Sequence, residues 1–261
     1  MAHRGGVMHD VRAPLVARRE VARGMWALGF EAEPIAASVR AGQFVNVLVR
    51  PGPLLRRPFS VYRADGAVVE IVLRAVGAGT RQLLDLREGD VLSLLGPLGQ
   101  GFHLEAGMRR VTLVSGGLGV APMPLAARDA RRLGLDVTWV HGARTQAELC
   151  SEADGDHFRW ATDDGSVGVR GSALDAVPAH DPGQVLACGP NRMLAAAAAR
   201  WPDAQVAIET YMGCGTGVCL GCAVPRVSGV YDRACTEGPV YRADSIRWDE
   251  LPARLHYEVP A

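Results

Sequence analysis

The chain has 261 residues, enough for two compact domains and a small third unit. Its 28 Lys and Arg residues balance 28 Asp and Glu residues, so no net charge favours binding to nucleic acid or to an anionic membrane. No apolar run approaches the length of a membrane span, and the basic N-terminus is not followed by the apolar region of a signal peptide. We therefore expect a cytoplasmic protein that does not cross a membrane.

Short strands are predicted in the first part of the chain. Apolar and alternating segments such as QFVNVLVRPG and AVVEIVLRAV run from about residue 13 to residue 104, separated by Gly, Pro and Asp turns. This pattern is typical of a small sandwich or barrel, and a closed antiparallel barrel is the simplest architecture for it. We place the first domain at residues 1–104.

The periodicity changes at about Arg109. The segment RRVTLVSGGLGVAPMPLAARDARRLG combines a buried strand, a glycine turn and an amphipathic helix, as at the start of a parallel βαβ unit. Further strands are predicted in DVTWVHGA, HFRWATDDGS, QVLACGP and QVAIE, with an alanine-rich helix at residues 191–200. We predict a doubly wound α/β nucleotide-binding domain at residues 105–209, where ligands bind beyond the carboxyl ends of the strands.

The last segment, residues 210–261, follows neither pattern. It has too little apolar periodicity to build a core of its own, so we expect a metal cluster and docking onto the other domains to hold it. The predicted fold class is therefore α+β and multidomain, with an N-terminal antiparallel β-barrel, a doubly wound α/β domain and a small C-terminal cluster subdomain.

Four of the six cysteines occur in this last segment, with the spacing C-x4-C-x2-C-x12-C. The first three follow the plant-type spacing of [2Fe-2S] proteins, in which a fourth thiolate comes from farther along the chain. Glycines between them permit the sharp bends that turn several thiolates inward. Structural zinc and disulfides are the alternatives, but zinc sites usually show two short Cys pairs and disulfides belong mainly to secreted chains. The candidate ligands are Cys214, Cys219, Cys222 and Cys235.

Two features of the barrel region suit a dinucleotide. In LLRRPFSVY, Arg57 can pair with phosphate and Ser60 can hydrogen-bond a heterocycle, although a surface turn is an equally good interpretation of this motif alone. Arg74 is followed by GAGTRQL at residues 77–83, where a Gly-Thr helix start offers backbone amides to pyrophosphate. Together the two features favour a dinucleotide more than either does alone.

The α/β region has glycine turns at the predicted strand ends. GGLGVAP at residues 116–122 resembles a phosphate loop without the full dinucleotide fingerprint, and CGPNRM at residues 188–193 occupies another strand-to-helix turn. TDDGS at residues 162–166 could bind ribose hydroxyls or be an ordinary acidic turn, and Arg144 could approach a 2′-phosphate, a ribose or neither. We expect Cys150, a lone Cys beside an apolar stretch, to be a small buried hydrophobe.

The order of these motifs resembles one family. RRPFSVY, LR before GAGT, LLGPLGQGF, GGLGVAP, GART, TDDGS, CGPNRM and CGTGVCLGC follow one another as in the iron–sulfur and flavin electron-transfer subunits of class B dihydroorotate dehydrogenases, members of the ferredoxin–NADP reductase superfamily. The resemblance extends from about residue 13 to the end, and its most specific part is the cluster loop followed by GPVY at residues 238–241. The N-terminal dozen residues have no matched feature, and we expect them to be disordered.

The resemblance implies FAD in the barrel, a [2Fe-2S] cluster on the four cysteines and NAD in the α/β domain. We expect Ser60 to be the catalytic contact, with its hydroxyl and neighbouring amides at the reactive face of the flavin. The other expected FAD-binding residues are Arg57, Pro58, Phe59, Val72, Leu73, Arg74, Gly79 and Thr80. The residues expected to bring nicotinamide against the flavin are Gly116, Gly117, Gly119, Cys188, Gly189 and Pro190.

The resemblance also implies a partner. An FMN-containing catalytic subunit would oxidise dihydroorotate to orotate, and electrons would pass through the cluster and FAD to NAD⁺, in a heterotetramer with two copies of each chain. The cluster loop should then lie near the surface, between the flavin and the partner. Two alternatives remain: the same redox module serving another dehydrogenase, such as an NAD(P)H:ferredoxin or a sulfide- or hydrogen-linked enzyme, or a non-catalytic binding module stabilised by zinc.

Overall fold

The first part of the chain forms the predicted closed antiparallel barrel. The computed structural model describes residues 7–50, 52, 54–105, 107–153, 157–253 and 255. Six strands close the barrel in the order β1-β2-β5-β4-β3-β6, with β6 pairing back onto β1. The strands are β1 (His9–Ala22), β2 (Met25–Glu31), β3 (Phe44–Leu48), β4 (Arg57–Asp65), β5 (Val68–Arg74) and β6 (Val91–Leu98). Two helices, α1 (Glu33–Ala36) and α2 (Ala78–Asp85), connect strands of this barrel.

The start of β1 corrects one expectation. We expected the first dozen residues to be disordered, but His9–Arg12 belong to β1 and pair with β6 from Ser93 to Gly96. The pairing partner lies about eighty residues away along the chain, so no local pattern in the N-terminal sequence identifies this strand. Residues 1–6 lie outside the described residues.

The second part forms a mostly parallel sheet covered by helices. Its strand order is β10-β9-β8-β7-β11-β12, and the order reverses between β7 and β11. Ligands of such sheets bind at the carboxyl ends of the strands next to this reversal. The strands are β7 (Arg110–Gly116), β8 (Asp136–Ala143), β9 (His157–Thr162), β10 (Val169–Arg170), β11 (Gln184–Cys188) and β12 (Gln205–Ala207). The longer helices are α3 (Met123–Arg132) and α4 (Asn191–Arg200), and short 3-10 helices span Gly117–Val120, Gln146–Glu148 and Ala173–Ala176.

The cysteine-containing segment is docked onto both preceding parts. It contains a hairpin of β13 (Ala223–Pro225) and β14 (Tyr231–Arg233), and its strand β15 (Val240–Arg242) pairs antiparallel with β12. Short 3-10 helices follow at Ala243–Ser245 and Trp248–Glu250. On the barrel side, Gly42 lies so close to β15 that a Cβ atom there would be 2.8 Å from Val240 Cγ2. This docking agrees with the expectation that the segment depends on its neighbours.

The barrel and the α/β sheet share a polar interface. Arg19 on β1 forms ion pairs with Glu70 at 2.6 Å and with Glu152 at 2.5 Å, and the Tyr62 hydroxyl donates to Glu152 at 3.1 Å. On another side, Arg128 of α3 donates to the carbonyl oxygen of Ala64 at 2.8 Å. No helix within the described residues is long and apolar enough to span a bilayer.

The division of the chain into three domains at residues 104/105 and 209/210 stays a prediction.

We expect Leu113→Ala to lower the free energy of unfolding by about 2–5 kcal/mol, because it removes buried methyl groups from the centre of β7 and leaves a cavity. Leu113 has 0% exposure. The measurement is urea denaturation followed by far-ultraviolet circular dichroism.

The matched control is Leu133→Ala, since Leu133 at the end of α3 is 43% exposed. It should change the unfolding free energy by no more than about 0.5 kcal/mol. Equal losses in the two variants would contradict the placement of β7 at the core of the sheet.

Candidate functional site

Two of the four predicted cluster ligands lie side by side in the interior. The Sγ atoms of Cys222 and Cys235 are 3.3 Å apart, and both residues are 2% exposed. Two sulfur ligands of one tetrahedral metal with bonds near 2.3 Å are separated by about 3.7 Å. This pair could therefore bind a single iron. Cys222 directly precedes β13 and Cys235 follows β14, so the hairpin between them holds the pair together.

The other two cysteines lie nearer the surface and contact each other through a backbone hydrogen bond. Cys219 is exposed, and its backbone N–H donates to Cys214 Sγ at 3.4 Å, as does the N–H of Thr216. Desolvation raises the pKa of Cys214, but these N–H groups outweigh it and lower the pKa to about 6. Cys214 is thereby suited to act as a thiolate ligand at neutral pH.

Cys235 of the buried pair has a thiol that is harder to ionise. Burial raises the pKa of Cys235 to about 12, even though the N–H of Gly217 donates to its Sγ at 3.1 Å. A bound cation would favour the thiolate at this position, because a nearby positive charge offsets the desolvation of the anion. The donor set therefore fits a metal group that neutralises the buried pair.

The donor set bears on the kind of metal group. This segment supplies four thiols, and a [2Fe-2S] cluster takes four cysteine thiolates. The first three cysteines have the plant-type spacing of such clusters, whereas structural zinc sites usually show two short Cys pairs.

Two glycines of the loop adopt backbone conformations that other residues resist. Gly215 has φ +73° and Gly217 has φ +84°. A Cβ atom on Gly215 would collide with the side-chain amide of Asn46, and one on Gly217 would lie 2.8 Å from Thr236 Cγ2. The sequence indicated a glycine-dependent loop, and at these two positions the requirement is both conformational and steric.

An ion pair that the sequence analysis missed supports the loop. Arg233 and Glu237 lie on either side of Cys235, with Arg233 Nη2 2.5 Å from Glu237 Oε1, and Arg233 Nη1 donates to the carbonyl oxygen of Gly217 at 3.2 Å. The hydrogen bond from Arg233 lowers the pKa of Glu237 to about 2, so the pair stays charged at neutral pH. The spacing of Arg and Glu four residues apart is visible in DRACTE. The sequence does not show that Arg233 lies close to Gly217, so the supporting role of the pair could not be predicted.

The predicted flavin residues lie on two neighbouring strands and the helix after them. Val61, next to Ser60, pairs with Ile71, next to Val72, so the RPFS segment of β4 and the VLR segment of β5 lie at the same level of the barrel. Ser60 is half-buried, whereas Val72 and Leu73 are buried in the core. Pro58 and Phe59 pair with Asn46 and Val45 of β3.

Several of the predicted phosphate-binding side chains already form hydrogen bonds within the chain. Arg74 donates to the carbonyl oxygens of Arg23 at 3.1 Å and Glu148 at 3.5 Å, and Arg57 donates to the carbonyl oxygen of Leu55 at 2.8 Å. The Thr80 hydroxyl accepts hydrogen bonds from the N–H groups of Val76 and Gly77, and thus caps the start of α2. The first amides of α2, including that of the buried Gly79, could bind a phosphate there.

The two predicted nicotinamide loops contact each other at the strand reversal. Gly116 ends β7 and Cys188 ends β11, and these two strands are neighbours. A Cβ atom on Gly119 would collide with the carbonyl oxygen of Cys188, and one on Gly189 would lie 3.3 Å from the N atom of Gly116. Burial raises the pKa of Cys188, so its thiol stays neutral. Gly117, with φ +55°, lies at one of the two turns and Pro190 at the other.

A buried histidine beneath these loops was not anticipated. The His141 Nδ1 atom is 2.9 Å from Ser115 Oγ, and its Nε2 accepts a hydrogen bond from the N–H of Cys150 at 3.3 Å. Burial lowers the pKa of His141 to about 4, so it is neutral. Its environment suits a structural role. Cys150, predicted to be a buried hydrophobe, has 0% exposure.

The candidate ribose contacts are exposed and partly engaged. Arg144 forms an ion pair with Glu148 at 2.7 Å, and Asp164 accepts a hydrogen bond from the N–H of Ser166 at 2.9 Å. Asp163 follows the carboxyl end of β9, at the same edge of the sheet as the glycine loops. This position is compatible with ribose binding and with an ordinary acidic turn, and the choice between them stays open.

Gly217→Ala should lose most of the iron and acid-labile sulfide that the wild-type chain binds. The substitution places a side chain in the left-handed region, at a cost of about 1–2 kcal/mol, and presses it against Thr236. Chemical analysis of iron and sulfide per chain, after anaerobic reconstitution, measures the effect.

Gly221→Ala is the control in the same loop. Gly221 does not have a positive φ, and its nearest neighbour would be Cys219 Sγ at an ordinary 3.5 Å, so iron and sulfide should stay at the wild-type level. If Gly217→Ala retained as much iron as Gly221→Ala, the loop would not depend on this backbone conformation.

Comparisons with known proteins agree with this site. Residues 209–247 match the family described as the iron-sulfur cluster binding domain of dihydroorotate dehydrogenase B. The electron transfer subunit of dihydroorotate dehydrogenase B (NAD(+)) from Bacillus caldolyticus is 36% identical over 250 residues, which cover 90% of this chain and 97% of that protein. The corresponding subunit from Shouchella clausii is 37% identical over 251 residues, again 90% of this chain and 97% of that protein.

Solved structures show the same architecture. An NADH-dependent reduced ferredoxin-NADP oxidoreductase, described in a study of flavin-based electron bifurcation, has a TM-score of 0.81 and 28% identity, covering 95% of this chain and 92% of that chain. The ferredoxin reductase in carbazole 1,9a-dioxygenase has a TM-score of 0.64 at 20% identity, covering 74% of this chain and 65% of that chain, and shows the fold alone. Because relatives more than a third identical match nearly their whole length, this chain belongs to the family of electron transfer subunits of NAD⁺-dependent dihydroorotate dehydrogenase B.

Proposed function

We propose that this chain passes electrons from an FMN-containing dihydroorotate dehydrogenase subunit, through a [2Fe-2S] cluster and FAD, to NAD⁺. The observation that carries the proposal is the docking of the four-cysteine segment onto the barrel that bears the flavin motif. Asn46 pairs with Pro58 of that motif and donates from its side chain to the carbonyl oxygen of Cys214 at 3.0 Å. The names of the relatives support this direction of electron flow and the use of NAD⁺.

The proposed cofactor contacts divide among the three parts of the chain. When bound, the cluster supplies one-electron transfer, and FAD connects it to the two-electron hydride chemistry of NAD⁺. The proposed cluster ligands are Cys214, Cys219, Cys222 and Cys235. The proposed FAD contacts are Arg57, Pro58, Phe59, Ser60, Val72, Leu73, Arg74, Gly79 and Thr80. The proposed nicotinamide contacts are Gly116, Gly117, Gly119, Cys188, Gly189 and Pro190.

The chain's own groups have defined tasks in this proposal. The N–H groups of Thr216, Gly217 and Cys219 stabilise thiolate charge, which is one of the means by which proteins set a cluster's potential. The amides at the start of α2 bind pyrophosphate, and the Thr80 hydroxyl fixes that turn. The Ser60 hydroxyl orients the flavin ring, while the glycines after β7 and β11 let the nicotinamide approach closely. No side chain has to transfer a proton.

The surface around Cys219 suits the proposed partner. Several apolar side chains of the cluster segment are exposed, and Val218, next to Cys219, reaches 81% exposure. The others are Leu220, Val227, Val230 and Tyr231. We propose that the FMN-containing subunit covers these side chains, in a heterotetramer of two copies of each chain. The need of four cysteines to remain reduced before they bind iron supports a cytoplasmic location.

A second candidate function uses the same module with a different partner. The structural likeness to an NADH-dependent reduced ferredoxin-NADP oxidoreductase favours this alternative over a non-catalytic zinc-stabilised module. The two redox candidates share every cofactor contact proposed above. They differ in the partner and in whether NAD⁺ or NADP⁺ accepts the hydride, so only an experiment with the partner separates them.

The decisive test uses the native complex. The tagged chain should co-purify with an FMN-containing protein, and the complex should reduce NAD⁺ when dihydroorotate is added. Cys219→Ser should abolish the cluster spectrum, keep bound FAD and remove most of the dihydroorotate-dependent NAD⁺ reduction, because a serine hydroxyl is a poor iron ligand. Visible and electron paramagnetic resonance spectra with an NADH assay measure the three effects.

Cys150→Ala provides the control, since Cys150 is a buried cysteine outside the cluster segment. It should retain the cluster spectrum. A complex that oxidised a different substrate, with dihydroorotate inert, would favour the second candidate function. A colourless chain holding one zinc ion would overturn both redox candidates.

Ser60→Ala should slow hydride transfer between NADH and bound FAD about tenfold while FAD stays bound, because the flavin ring loses one orienting hydrogen bond worth about 1.4 kcal/mol. Stopped-flow absorbance of the flavin measures this rate. Ser38→Ala, at an exposed serine after α1, should leave it unchanged. Wild-type hydride transfer in Ser60→Ala would remove Ser60 from the site.

A further inference from the structure

Two side-chain amides of the barrel reach across to the cluster segment. Asn46 Nδ2 donates to the carbonyl oxygen of Cys214 at 3.0 Å, and Gln100 Nε2 donates to the carbonyl oxygen of Thr236 at 3.0 Å. Cys214 is the first of the four cysteines, and Thr236 directly follows the last one. The two amides therefore contact the segment at both ends of its ligand set. We call Asn46 and Gln100 the amide pair.

Asn46 occupies a position where strand sequences normally carry an apolar residue. It lies in the middle of β3, between Val45 and Val47, and is only 1% exposed. Asn is disfavoured in strands, and burial of its amide is unfavourable unless the amide is hydrogen-bonded. Within the described residues its Oδ1 has no hydrogen-bond partner, so the bond to Cys214 is the one its side chain makes there. The hydrogen bond to the cluster segment thus explains why a buried position of β3 carries an Asn.

The surroundings of Asn46 fix its backbone. Pro58, its partner on β4, has no N–H to donate, and the carbonyl oxygen of Asn46 instead accepts a hydrogen bond from Arg56 Nη1 at 3.3 Å. Arg56 also donates to the carbonyl oxygen of Ser93 on β6 at 3.1 Å. The guanidinium of Arg56 therefore joins β3 to β6 at the level of Asn46. A rigid strand carries the amide that contacts the cluster loop.

The fit against the loop is close. Gly215, the residue after Cys214, has its α-carbon against the Asn46 amide, where any Cβ atom would collide with Nδ2. The loop consequently cannot approach β3 with another residue at this position. Packing and the hydrogen bond together set the distance between the loop and the strand.

Gln100 makes the second contact from the end of β6. Its backbone pairs with the cluster segment through a bridge to Pro239, and its N–H donates to the carbonyl oxygen of Gly238 at 2.5 Å. At the neighbouring Gly99, φ is +75° and a Cβ atom would lie 2.8 Å from Pro239 Cδ. The barrel therefore also contacts the chain on the far side of Cys235.

We propose that Asn46 and Gln100 are positioning residues that fix the cluster segment on the flavin-binding barrel and thereby set the geometry of electron transfer between cluster and flavin. Asn46 connects the two directly, because it pairs with Pro58 of the flavin motif through its backbone and with Cys214 through its side chain. The electron-transfer part of this inference rests on the proposed function. The positioning part rests on contacts within the chain alone.

The test compares Asn46→Ala and Gln100→Ala in the full chain loaded with FAD and cluster. In stopped-flow experiments with NADH, flavin reduction should keep its wild-type rate, whereas the following reduction of the cluster should slow. A general loss of folding would slow both phases equally. The electron paramagnetic resonance signal of the reduced cluster should broaden, since a loosened loop samples more conformations.

Hydrogen–deuterium exchange provides a readout that needs neither turnover nor a partner. Amides of residues 213–220 should exchange about tenfold faster in Asn46→Ala, as expected for losing one hydrogen bond that closes the loop. Gln100→Ala should likewise accelerate the exchange of the backbone amides of residues 235–239. Each variant tests the inference independently if the other fails to fold.

Gln205→Ala is the matched control. The Gln205 side-chain amide also joins distant parts of the chain, since it donates to the carbonyl oxygen of His103 at 2.7 Å, and no hydrogen bond among the described residues joins it to a cysteine. It should leave exchange at residues 213–220 and cluster reduction unchanged. Wild-type exchange and cluster reduction in both alanine variants, or an equal slowing of both kinetic phases, would overturn the inference. A wild-type chain that bound no flavin would instead overturn the proposed function, and the exchange measurement would still test the contacts.

Discussion

The pairing of β15 with β12 is the constraint on which the rest of the site depends. Val240–Arg242 extend a sheet built by residues much earlier in the chain, and Tyr241 lies opposite Val206. A segment of about fifty residues whose strands are only three residues long is too small to retain a fixed shape by itself. The pairing of β15 with β12 fixes the segment on the sheet. The hydrogen bonds from Asn46 and Gln100 to its carbonyl oxygens fix it on the barrel. The positions of the four cysteines follow from these attachments.

The features predicted from sequence are those with a local cause. Cysteine spacing predicts the ligand set, glycine turns predict the ends of β7 and β11, and the change of periodicity near Arg109 predicts the passage from barrel to sheet. Each of these predictions needs only a short stretch of sequence, because turn chemistry and apolar periodicity act over a few residues. The placement of Gly116 and Cys188 at strand ends was predicted too, and parallel strands bring these ends to one edge of the sheet.

The features that were missed depend on residues far apart. His9–Arg12 become a strand only because β6 lies beside them, and Asn46 stands out only once Cys214 is known to lie against it. Within FVNVLV, a single polar residue resembles ordinary strand alternation, which would place it in solvent. The Arg233–Glu237 pair likewise gains its meaning from the carbonyl of Gly217. Contacts of this kind can be recognised only when the fold is known, because the sequence does not show which distant residues lie together.

The location of β15 also has a consequence for the order of assembly. Cys235 and β15 follow every strand of the barrel and every parallel strand of the sheet along the chain. During synthesis from the N-terminus, the barrel and the sheet can therefore fold before the fourth ligand has left the ribosome. The complete set of candidate ligands therefore becomes available only when the barrel can already present the two amides that contact the last segment.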